Sequence, residues 1–250
     1  MGKRFLISIL LLINLYSCKN QSDFSHQPTE NLNNTIIYAV DPIEETTSFD
    51  WEKIQFPRLG NDSKDFNPNP KEIEIQYESE GDLNLDGLYD IVLVLKRIGV
   101  YDDVRPTLIL IQSPENSFQL KNLSFTAMPI EYSDEYKIYD FEDLSIDDGQ
   151  LIIDLNSIGP AGKNSSTYRY LEDELILTEI ETYNMGAGSH MALDYDILKG
   201  EITQTIINTM EEDMPSEEKT FSLGAQKFRF ENADPIDIII QSYQKFESDW

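Results

Sequence analysis

Apolar positions along this chain fall in short runs divided by turn residues. Ile73, Ile75 and Tyr77 alternate with Glu72, Glu74, Gln76 and Glu78, the period of a strand with one face buried. Residues 91–95 are continuously apolar, as in a central strand, and residues 107–111 form a second such run between Pro106 and Pro114. Asp148-Gly149 divides two apolar segments and predicts a tight hairpin, because glycine accepts positive φ. Residues 167–170 turn at Glu172-Asp173 into residues 175–180. Leu193, Tyr195 and Ile197 then share one face while Asp194 and Asp196 share the other, and Lys199-Gly200 turns the chain into residues 202–206. The stretch around Glu217 predicts a loop, as do residues 59–71 with their Asn-Pro-Asn-Pro run. Trp51 and Phe56 stand out as core anchors in a mixed segment. Late in the chain Asp234 can cap a helix, Pro235 suits its first position, and Ile236, Ile239, Ile240 and Tyr243 recur at helical spacing. A strand over residues 236–240 is the alternative, since isoleucine favours strands. The pattern predicts one mainly β domain over residues 36–250, an antiparallel meander or sandwich-like fold with a minor helical part.

The first residues follow a different rule. A basic head (Lys3, Arg4), an apolar stretch from Phe5 to Leu15 and Leu15-Tyr16-Ser17-Cys18 have the parts of an export signal over residues 1–17. The stretch is shorter than the roughly 20 residues that span a bilayer. Its last four residues resemble the bacterial lipobox, with Tyr16 bulkier than that pattern usually has. The resemblance implies lipidation at Cys18, a bilayer anchor and a place in the cell envelope. Lys19 after the cut points to the outer membrane by the enterobacterial sorting rule. Residues 18–35 are polar and Asn-rich and predict a flexible tether. Cys18 is the chain's one cysteine, so neither a disulfide nor a cysteine zinc site can hold the domain.

The formal net charge of −27 changes the list of partners. Such a surface repels nucleic acid and anionic lipid head groups and favours divalent cations. Most of the 46 acidic residues are solvated surface all the same.

One motif carries chemistry. Asp82-x-Asn84-x-Asp86-Gly87-x-x-Asp90 offers side-chain oxygens at loop positions 1, 3, 5 and 9, with glycine where a sharp turn is needed. Ca²⁺, a hard cation that takes six to eight oxygens, fits Asp82, Asn84, Asp86, the Leu88 carbonyl and Asp90. Position 12 is Leu93, so the bidentate glutamate of an EF-hand is missing, and the flanks predict strands. An acidic turn without any ion is the plainer alternative. The loop resembles the calcium loops of FG-GAP and VCBS-type repeats, here in a single copy, which argues against a propeller. More widely, residues 81–96, the Arg105-Pro106-Thr107-Leu108-Ile109-Leu110 strand and the Tyr-rich meander after it resemble secreted proteins and lipoproteins of Bacteroidetes type, over about residues 70–206. That resemblance implies no reaction.

Other signals stay below it. His26 lies in the tether, and His190 follows Gly186-Ala187-Gly188-Ser189 without a Gly-x-Ser-x-Gly elbow. Residues 159–163 lack Walker spacing. Tyr132, Tyr136, Tyr139 and Phe141 suggest an aromatic platform for sugar, with core and cross-strand packing the better-supported reading. The expected function is a membrane-anchored envelope lipoprotein with a calcium-stabilised β domain, a binding or structural module and not an enzyme. An envelope protein or a glycan is its expected partner. The alternatives are an envelope hydrolase using Asp or Glu, and an inhibitor or immunity partner of another protein.

Overall fold

In the computed structural model, residues 49–247 are described, except 134, 160 and 161. The export signal, Cys18, the tether and His26 lie outside the described residues. The fold is mainly antiparallel β with one short helix.

The first sheet has five strands: β1 (Leu59–Gly60), β2 (Ile73–Gly81), β3 (Asp90–Arg97), β4 (Thr107–Gln112) and β5 (Phe118–Ser124), in the order β1-β5-β4-β3-β2. β3 and β4 are central, and their continuous apolar runs have a reason: this sheet is covered on both faces. Ile91, Leu93, Leu95, Leu108 and Leu110 pack against Trp51, Phe66 and Phe56 from the segment that precedes the sheet. Val92, Val94 and Ile109 pack the other way, against the second sheet. The alternation in β2 does not hold one face. A register shift between Ile75 and Tyr77 rotates the strand, so Ile73 and Ile75 join the first core and Tyr77 the second. The segment read as a loop at 59–71 contains β1 and a 3-10 turn (Ser63–Phe66) capped by Asp62, which buries Phe66 completely.

A small hairpin, β6 (Tyr132–Ser133) with β7 (Tyr136–Lys137), leads to the second sheet. Its meander runs β8 (Phe141–Asp147), β9 (Gln150–Asn156), β10 (Lys163–Leu171), β11 (Glu174–Met185), β12 (Ser189–Asp196), β13 (Glu201–Asn208) and β14 (Ser216–Ser222). β15 (Phe228–Arg229) pairs with the start of β11, before β12 takes over that edge. The β8–β9 turn is tight, with Asp148 at φ 47° and Gly149 at φ 70°. Glu172 and Asp173 make the β10–β11 turn, also with positive φ. Leu193, Tyr195 and Ile197 are buried as their alternation requires. The predicted loop around Glu217 is instead β14. It is an edge strand exposed along its length apart from the half-buried Phe221, so burial never imposed an apolar alternation on it.

α1 (Pro235–Glu247) closes the inner face of the second sheet. Asp234 Oδ1 accepts the Asp237 N–H at 3.0 Å, the expected cap. Ile236, Ile239 and Tyr243 join the core, whereas Ile240 stays 49% exposed beside a cleft of ≈ 430 Å³ facing β10–β12. The two sheets also meet along β2 and β8, where the backbone at Gly81 approaches Ile146 too closely for any side chain. Among the described residues no helix is long and apolar enough to cross a membrane.

Candidate functional site

The Asp-rich segment joins β2 to β3 and folds on its own polar groups. Asp82 Oδ1 and Asn84 Oδ1 both accept the Asp86 N–H, each at 3.0 Å, so these two oxygens meet at one point. Asp82 Oδ2 accepts the Gly87 N–H at 2.8 Å, and Asp86 Oδ1 accepts the Leu88 N–H at 2.8 Å. Gly87 turns the chain at φ 89°, where a side chain would be strained. Leu85 holds φ 60° and packs beside Gly149 of the β8–β9 turn.

Asp90 plays another part. It is fully buried, and its oxygens accept three backbone N–H groups: Leu83 at 3.0 Å, Asn84 at 3.3 Å and Gln112 at 3.0 Å. It therefore ties the turn to β4 from beneath. Burial pushes its carboxyl up, against the pull of those three N–H groups. Gln112 adds a second tie through its side chain, which accepts the Tyr89 N–H at 3.2 Å.

Asp82 and Asn84 each bring one oxygen to the Asp86 N–H, while the Asp86 carboxylate turns to the Leu88 N–H; oxygens of this kind are the donors that Ca²⁺ takes. The Asn84 amide donates to Asp86 Oδ2 at 3.0 Å, a partial positive charge beside that carboxylate. Leu88 is positioned through its N–H on Asp86. Asp90 is the candidate that the geometry sets apart, because it is fully buried and accepts the Gln112 N–H of β4, whereas Asp82, Asn84 and Asp86 accept N–H groups of the turn's outer residues. The tightest acidic group lies elsewhere. Among the described residues, Glu179, Glu181 and Asp194 are the three whose oxygens lie within 4.8 Å of one another, on the polar face of β11 and β12. Burial first, then Asp194, Glu181 and Asp196, push the Glu179 carboxyl up.

A buried polar linkage went unseen in the sequence. Arg105 is 1% exposed and donates to both oxygens of Glu142 at 2.6 and 2.8 Å. It also donates to the Pro129 carbonyl at 2.6 Å, and Tyr77 donates to Glu142 at 2.9 Å. Burial and Glu142 push the Tyr77 phenol up to about 12. This cluster joins β2 to β8 across the sheets; Arg105-Pro106 in the sequence marks a strand start and part of the family resemblance, with no sign of a buried ion pair.

His190 Nδ1 lies 2.6 Å from the Tyr183 hydroxyl, with the rings edge to face. The predicted aromatic group is split. Tyr139 is buried in the core, Tyr136 and Phe141 are 79% and 65% exposed, and Tyr132 pairs with Tyr101. No protein-family pattern, curated protein or solved structure matches the chain.

Proposed function

We propose that this protein is a lipid-anchored β module of the cell envelope, non-catalytic, whose 82–90 turn is locked by Ca²⁺. The observation that carries the calcium reading is the meeting of Asp82 and Asn84 oxygens on the Asp86 N–H. Asp82, Asn84 and Asp86, with the Leu88 carbonyl, would hold the ion, and water would complete its six to eight ligands. Asp90 serves as the positioning residue beneath them. The ion would neutralise the turn's carboxylates and so favour the folded state. The anchor rests on Cys18 after its apolar leader.

The rival reading is a hydrolase built on Glu179, whose raised carboxyl is the property of a general acid. We favour the module because Glu181 and Asp194 beside it are exposed on a sheet face, where water would quench such chemistry.

Thermal melting with chelator, Ca²⁺ and Mg²⁺ is the test. Ca²⁺ at about millimolar concentration should raise Tm, Mg²⁺ should do so poorly, and Asp86→Ala should lose the rise. Identical melting with chelator and with Ca²⁺, and no binding heat, would reduce the segment to an acidic turn.

A further inference from the structure

A third acidic region differs from the other two because aromatic rings stand in it. The turn at residues 99–102 and Tyr132 border a cleft of ≈ 620 Å³, lined by Gly99, Val100, Tyr101, Asp102, Tyr132 and Glu135. That volume is in the range of small-molecule sites, about 300–1,000 Å³. The Tyr101 and Tyr132 rings lie 5.2 Å apart at 58°, and the Tyr132 N–H donates to the Tyr101 carbonyl at 3.3 Å, which fixes their spacing. Tyr101 remains 54% exposed. An aromatic face carries partial negative charge and attracts cations within about 6 Å.

The protein already uses this chemistry once. Lys96 Nζ lies 5.8 Å from the Tyr101 ring centre and 3.2 Å from Glu131. The two lysines of this region, Lys96 and Lys137, are both held by Glu131, and Lys96 also by Glu74. Asp102 and Glu135 are exposed and have no hydrogen-bond or ion-pair partner among the described residues. Two rings, of which Tyr101 already faces Lys96, and two carboxylates without an ion-pair partner among the described residues thus line one cleft, on a chain of net charge −27.

We propose that this cleft binds a small organic cation of the alkylammonium class. The rings would take the alkylated head and the two carboxylates would supply the charge. A bare metal ion fits poorly, since ring faces offer no lone pair. An anion is opposed by the field of the whole chain.

The probe is tetramethylammonium, titrated into the full protein at constant ionic strength while tyrosine ring signals are followed by NMR, with neutral tert-butanol as its isostere. The ammonium should shift the Tyr101 and Tyr132 signals and tert-butanol should not. Tyr101→Phe should keep the affinity, while Tyr101→Leu should weaken it by about two- to thirtyfold, the span of one cation–π contact. Asp102→Asn, a surface change that the fold does not need, should also weaken it and supplies the test if Tyr101→Leu melts early. Equal binding of tert-butanol would make the cleft a plain apolar groove and overturn the proposal. So would the absence of any shift, or full affinity in both Tyr101→Leu and Asp102→Asn.

Discussion

Asp90 and Glu179 start from the same physics and end in opposite places. Burial is the first cause that pushes each carboxyl above the ordinary range. For Asp90 the next three causes are backbone N–H groups, of Gln112, Leu83 and Asn84, and all three favour the charged form. For Glu179 the next three causes are Asp194, Glu181 and Asp196, and all three oppose it, with Arg169 alone pulling back. One region meets its carboxylate with donors, the other with more carboxylates. Acid density therefore says little about a site, and the donors around each oxygen say much more.

Glu142 extends the comparison to a buried carboxylate met by a full cation. Glu142→Gln leaves the Arg105 guanidinium buried without counter-charge. Breaking such a pair should cost about 3–5 kcal/mol, the largest effect expected here. Urea unfolding of the variant measures it. A loss below about 1 kcal/mol would mean that water reaches Arg105 and that the linkage between β2 and β8 is not dry.

Asp90→Ala comes next. It leaves three backbone N–H groups without their acceptor, beneath a turn that has no other tie to β4 except Gln112 among the described side chains. A loss of about 2–4 kcal/mol in the presence of chelator is expected. Asp86→Ala sharpens the contrast, because Asp86 is exposed. In chelator it should stay within about 1 kcal/mol of the parent. It should then fail to gain the stability that a ligand in hundredfold excess over its Kd confers, about 2.7 kcal/mol. If both variants lose equally in chelator, Asp86 and Asp90 share one structural role and the division between ligand and positioning residue falls.

Much of the frame was legible because burial on one face writes a period into the sequence. β12 follows its alternation, and the Asp148-Gly149 pair turns where it should. The helix was readable through Asp234 and Pro235 despite its isoleucines. What failed lacks such a period. β14 has no buried face to record, and the bulge at residue 76 exchanges the faces of β2 without changing its alternation. The turn at 82–90 was legible as a donor set, yet the inward role of Asp90 depends on Gln112, 22 residues on, a partner no local pattern names. Arg105 and Glu142 are 37 residues apart for the same reason. Tyr101 and Tyr132 meet only because the turn and the hairpin fold together.

The smallest expected effect breaks the comparison at its other end. Glu179 has a folded-state carboxyl raised above its unfolded value. The folded chain then holds a proton there that the unfolded chain has already lost. Stability must therefore fall as pH rises from the usual glutamate range through the raised folded value, and the cost is complete above it. Asp90 contributes a slope of the same sign, so the parent curve alone cannot separate them. Glu179→Gln removes the charge facing Glu181, Asp194 and Asp196 and leaves Asp90 untouched. The variant should match the parent in acid and exceed it at neutral pH by about 0.2–1 kcal/mol, the scale of a like-charged cross-strand contact. High salt should shrink the difference, since Glu181 and Asp194 are exposed and screened. Chemical unfolding of both proteins across the acid-to-neutral range gives the difference curve. A difference that does not change with pH, or a variant less stable at neutral pH, would show that Glu179 has a favourable partner in its charged form and that the two regions are alike after all.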